Sequence, residues 1–186
     1  MSPQNKINLL FVSFITMVLV LACGGGNEMR QASDKVVEAN KANADAARNI
    51  EDVNKRFAQL FGGEVDMDDR KKLEPTAKDA LDSLEKAHTK LAEGIQKLDA
   101  ASKLNIEDWY KEYVSTIAQS FRNADKRIDV MKETANLYMD YSLDAQTLMP
   151  RYKELLEKDD QIQKEAAEID AKIKKIEEAN KDKLKG

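Results

Sequence analysis

Apolar and small residues recur at alternating steps of three and four from Met29 to Leu60: Met29, Ala32, Val36, Ala39, Asn43, Ala46, Ile50, Val53, Phe57 and Leu60. A half-buried strand would alternate every second residue. A three–four alternation instead draws one stripe along an α-helix, and that stripe must be covered by another helix. The spacing predicts a first helix from about Glu28 to Leu60, ended by Gly62-Gly63.

The same period returns three more times. Pro75 suits the first turn of a second helix, Pro75 to Ser102, because its missing N–H is one that a first turn leaves unpaired anyway. Leu84, Leu91 and Leu98 form its central stripe. One flank is Leu81, His88 and Ile95; the other, Ala80, Ala87, Gly94 and Ala101, is small enough to admit a close neighbour. Asn105 reads as the N-cap of a third helix, with Glu107 and Asp108 in its first turn. Its seam runs from Ile106 through Tyr110, Tyr113, Ile117, Phe121, Ala124, Ile128, Met131, Ala135, Tyr138, Ser142 and Ala145 to Met149. Tyr113-Ile117-Phe121 takes two steps of four in a row, a stutter that locally unwinds a supercoil. If unbroken, this helix has about 44 residues and a length of roughly 66 Å; a break is allowed for between Tyr141 and Pro150. A fourth helix starts at Pro150 or Arg151, reaches about Lys183, and carries Leu155, Ile162, Ala166, Ile169, Ile173 and Ile176 against a dense Lys/Glu face. The expected fold is all-α: four long helices in an up-down bundle or paired coiled-coil hairpins.

Composition agrees. Charged residues are 34% and hydrophobic ones 42%, but 30 basic against 34 acidic residues leave a net charge of only −4, unlike the one-sided charge of a disordered chain. The mild acidic excess supplies no attraction for nucleic acid. With a single cysteine, no internal disulfide forms.

That cysteine ends an uncharged apolar run, Ile7 to Ala22, preceded by a short polar stretch with Lys6. The run has the layout of a secretory signal and is short for a bilayer span. Its last residues, Val20-Leu21-Ala22-Cys23, resemble the lipobox of bacterial prolipoproteins. The resemblance implies cleavage after Ala22, a diacylglycerol on the Cys23 thiol, and fatty acyl chains such as palmitate as the membrane anchor. Several chains, each contributing about 0.8 kcal/mol per buried CH₂, hold what one chain does not. Gly24 stands where an aspartate would mark retention at the inner membrane, so the resemblance favours the outer membrane. Residues 1–22 are then the signal peptide, 23–28 a lipidated, glycine-rich tether, and 29–184 the helical body.

No residue set in the body points to catalysis, a metal or a cofactor. His88, the lone histidine, has no second His or Cys beside it and reads as a boundary residue. Asp66, Asp68 and Asp69 lack the order and the closing Glu of a calcium loop and read as a solvated acidic loop. Asn43 is either a tolerated defect in its seam or a register-setting polar residue. Six of the nine aromatics after Cys23 fall between Trp109 and Tyr141. If the third helix outruns the first by about ten residues, about 15 Å, then Tyr138, Tyr141, Met149 and Tyr152 lie on a hairpin projecting beyond the other helices. They would form a partner-binding tip. The expected function is a non-enzymatic, lipid-anchored interaction or spacer protein of the cell envelope, with another envelope protein as partner and self-association open through the heptad seams. The alternatives are a ligand-sensing four-helix bundle, similar in outline to chemoreceptor sensor domains, and a holdase-like helical chaperone. A sensor needs a cavity with a few polar groups, a chaperone an open concave apolar surface, and a spacer a filled core.

Overall fold

The computed structural model describes residues 26–61 and 70–184. Four long helices follow one another: α1 (Asn27–Phe61), α2 (Glu74–Ser102), α3 (Asp108–Met139) and α4 (Ala145–Ala179), with a 3-10 turn (Arg70–Leu73) before α2 and a last turn α5 (Lys181–Leu184). Successive helices pack on each other, α1 on α2, α2 on α3 and α3 on α4. Each pair is antiparallel, because partners run in opposite order across it. Arg56 meets Asp79 while Lys97 meets Glu38. On the other side of the molecule, Lys158 meets Glu133 while Lys172 meets Glu112. The start of α1, the α2–α3 connection and the end of α4 therefore share one end: Asn105 N–H donates to the Glu28 carboxylate, and Lys183 Nζ reaches Glu107 Oε2 at 2.6 Å.

The seams bury as their period requires. In α1, eight of the ten seam residues are buried, and Asn43 and Phe57 are half-buried. Leu84, Leu91 and Leu98 are at most 1% exposed; each contributes about 1.5–3 kcal/mol by leaving water. The small flank of α2 is buried along its length. At Gly94 the reason is visible. A Cβ there would lie 2.7 Å from Phe121 Cε2 and 3.3 Å from the Ala39 carbonyl oxygen, so the missing side chain is the space the Phe121 ring occupies. The stutter in α3 falls at that ring. Val114, Thr116 and Ala118 are buried beside the seam residues, since α3 is covered by α2 on one side and α4 on the other. Fourteen residues of α3 are buried, against four of α4: Leu148, Leu155, Ile173 and Ile176.

Three expectations are corrected. Helix α3 begins at Asp108, and Asn105 is no cap. Its N–H is taken by Glu28, residues 104–105 bend outside the helix, and Ile106 is buried in the core. Glu107 stands at the N-cap position without capping, because its carboxylate accepts from Trp109 Nε1 at 2.7 Å and from Lys183. Helix α4 begins before Pro150, not at it. Asp144 caps it by accepting from the Thr147 N–H at 2.8 Å, and Pro150, six residues in, removes one hydrogen bond to Gln146. Most consequential, α3 stops at Met139 with 32 residues, against 35 in α1. No long hairpin projects past the other helices, and Tyr141 lies after α3 instead of on it.

Gly94→Ala is expected to destabilise the fold although alanine favours helix by roughly 1 kcal/mol. Overpacking the rigid Phe121 ring outweighs that gain, for a net fall of about 3 °C in Tm by thermal unfolding. In a Phe121→Leu background the ring is gone and the same change should raise Tm; a fall of equal size there would refute the packing account.

Candidate functional site

The candidate tip lies where α1 ends and α3 turns into α4. Its frame is a buried arginine. Arg70, 1% exposed, donates from Nε to the Tyr138 carbonyl at 2.9 Å, from Nη2 to the carbonyls of Leu137 (3.2 Å) and Asp140 (3.0 Å), and from Nη1 to that of Leu143 (3.2 Å). The last carbonyls of a helix have no partners within it and carry the negative end of its dipole. A guanidinium is suited to them because its N–H groups are fixed in a plane and always charged. The Tyr138 and Tyr141 rings flank it, with centroids 5.6 and 5.5 Å away.

Aromatic rings complete the frame. Phe61 meets Tyr138 edge-on at 5.3 Å and stacks on Tyr152 at 4.8 Å with 5° between planes. Two of the four expected tip residues thereby serve the fold. Tyr138 is 2% exposed, and Tyr152 is half-buried. Burial and the neighbouring Asp159 carboxylate hold the Tyr152 hydroxyl above the usual phenol range. Tyr141 and Met149 do face solvent, at 38% and 51% exposure, and Leu156 joins them at 46%. Met149, Tyr152 and Leu156 share one face of α4 by their spacing. The Tyr141 hydroxyl is held by Glu74 Oε2 at 3.1 Å. Leu156 was not singled out from the sequence, although the seam that buries Leu155 leaves its neighbour outside.

A groove of about 250 Å³ opens midway along the body between α3 and α4. Ile50, Ala124, Ile128, Met131, Ile162 and Ala166 supply its apolar wall, and Asn123, Arg127, Gln163 and Asp170 its polar groups. Arg127 is pledged to Asp159, two bonds of 2.7 and 3.1 Å, and Asn123 to Glu165 at 3.2 Å. No buried side-chain polar atom among the described residues lacks a partner.

The remaining candidates resolve simply. His88 is half-exposed at the α2–α3 boundary, its Nδ1 2.6 Å from Asp125 Oδ1. Among the described residues no three His, Cys, Asp or Glu side chains gather as for a metal, and no helix is long and apolar enough to cross a membrane. Cys23 and the lipobox, and Asp66, Asp68 and Asp69, lie outside the described residues. No protein-family model matches the chain, and no curated protein or solved structure matches it significantly.

Two exposed carboxyls bind the α3–α4 bend together. The Ser142 hydroxyl and N–H hold the Asp140 carboxyl below its ordinary value, and Thr147, by its side chain and N–H, does the same for Asp144. Carboxyls lowered in the folded state contribute stability above their unfolded value, roughly pH 4. They lose it as pH falls through the lowered folded values. Asp144→Ala should lower Tm by about 3 °C at pH 7 through loss of the cap. Asp144→Asn keeps a capping oxygen without the titration, so its Tm should fall less than that of the parent protein between pH 6 and pH 3. An equal fall would remove Asp144 from the acid response.

Proposed function

We propose that this chain is a non-enzymatic interaction or spacer protein of the bacterial cell envelope. Acyl chains on Cys23 hold it at a membrane, with the outer membrane favoured, and its far end meets another envelope protein. The lipobox Val20-Leu21-Ala22-Cys23 supports the anchor. Helix α1 starts at Asn27, four residues after that cysteine, so the anchor and the start of the body are close in the chain. The 35 residues of α1 span about 52 Å, and the body carries its other end that far away.

The observation that carries the reading is the exposure of Tyr141, Met149 and Leu156 at the end opposite Asn27. Large apolar side chains left in water beside a rigid aromatic frame are what a partner covers with gain. The α3–α4 groove supports the ligand-sensing alternative, since it mixes apolar walls with a few polar groups. Its volume is under the roughly 300–1,000 Å³ of usual small-molecule sites, and its Arg127 and Asn123 are already paired. The interaction reading is therefore the better supported.

Two measurements test it in the native host. Mass spectrometry of the mature chain should find an acylated Cys23 at the N-terminus, and Cys23→Ala should leave the membrane fraction. A photo-crosslinking residue at Met149 should capture a defined partner, while one at Lys174, near the anchored end, should not. Equal capture from both positions, or none from Met149, would overturn the tip as a binding surface.

A further inference from the structure

We infer that residues 139–144 are a helix-competent hinge which Arg70 holds bent, and that the straightened chain exchanges α4 with a second copy of itself. The hinge contains nothing that must break a helix. From Asn136 to Met149 there is no Gly or Pro, and no described residue other than glycine has positive φ. Asp140 (φ −78°, ψ 87°) and Asp144 (φ −79°, ψ 170°) already have φ near the helical value, so straightening them is a rotation about ψ. Pro150 does not oppose it. The carbonyl it deprives of a partner, Gln146, already lies within α4.

The three–four spacing also runs through the bend without interruption: Tyr138, Ser142, Ala145, Met149. In the bent chain Ser142, Ala145 and Met149 are exposed. A seam that continues in register yet leaves these three residues exposed fits a straight α3–α4 helix lying beside an identical one, where the same residues face each other across a two-fold axis.

What keeps the bend is capping: the guanidinium on the Leu137, Tyr138, Asp140 and Leu143 carbonyls, and Asp144 on Thr147. What keeps α4 in place is transferable. Its four buried residues, the Phe61–Tyr152 stack and the pairs Arg127–Asp159, Lys126–Glu165, Lys158–Glu133 and Lys172–Glu112 can all re-form on another copy. Exchange thus requires no new contact beyond the hinge. The inference is independent of the lipid anchor.

Charge exchange across the least exposed pair tests it. One full-length chain carries Arg127→Asp, another Asp159→Arg. Alone, each sets like charges together. In an exchanged pair of the two, the altered residues meet each other across copies and the unaltered ones do likewise. Joint refolding should yield a heterodimer by native mass spectrometry, with Tm several degrees above either variant alone. Adding Arg70→Met to both should raise the dimer fraction about tenfold. Should Arg70→Met abolish helical circular dichroism, the Arg70-containing pair decides alone. Separate monomers after joint refolding, or heterodimers no more abundant or stable than the homodimers of each variant, would overturn the exchange.

Discussion

Where two carbonyls of the last turn of α3 and two of the bend after it converge, Arg70 supplies the positive charge and the planar donors they need. A buried guanidinium needs acceptors for its N–H groups and a helix end needs donors for its last carbonyls, and here each serves the other. The consequences spread along the chain. Ending α3 at Met139 sets where α4 starts, which sets its antiparallel register on α3, which in turn leaves Leu155 buried and Leu156 exposed. The tip's chemistry follows from the same contact, because the rings flanking the guanidinium belong to Tyr138 and Tyr141.

The rest of the body divides between apolar packing and surface charge. Helices α1, α2 and α3 interlock through small residues, with Gly94 packed under Phe121 and against the Ala39 carbonyl. Helix α4 is attached differently. It buries only four side chains and meets α3 through a row of ion pairs, most of them between exposed groups such as Lys126 and Glu165. Exposed pairs of this kind contribute about 0–1 kcal/mol each and weaken with salt, so they fix register more than they add stability. Arg127–Asp159, with 14% and 18% of its side chains exposed, is the more sheltered exception beside the groove.

Much of the architecture was legible in the sequence because helix periodicity is a local property. The α1 stripe, the Leu84-Leu91-Leu98 ridge and the small flank around Gly94 are all where a three–four spacing puts them. The α3–α4 bend was legible only in part: a break was allowed for between Tyr141 and Pro150, and it falls at residues 140–144. Its hinge has no glycine or proline, and its seam continues through it, so local pattern favours one long helix. The overestimated length of α3 then carried Tyr138 and Tyr152 onto an imagined projecting tip. The capping role of Arg70 gave no signal, since the carbonyls it holds are about 70 residues away, and carbonyls are the same at every position of every sequence.

The sequence by itself determined the all-helical class, the faces of each helix that must be buried, and the presence of a lipobox-like tetrapeptide ahead of the body. Those features depend on residue type and spacing within a few turns, and so can be read in one dimension. Tertiary structure alone decided where the third helix ends, which aromatics are frame and which are surface, and that α4 buries few side chains and rests mainly on α3. Each of these turns on which groups distant in the chain meet, and the free energy of a buried charge or a covered ring exists only once they do.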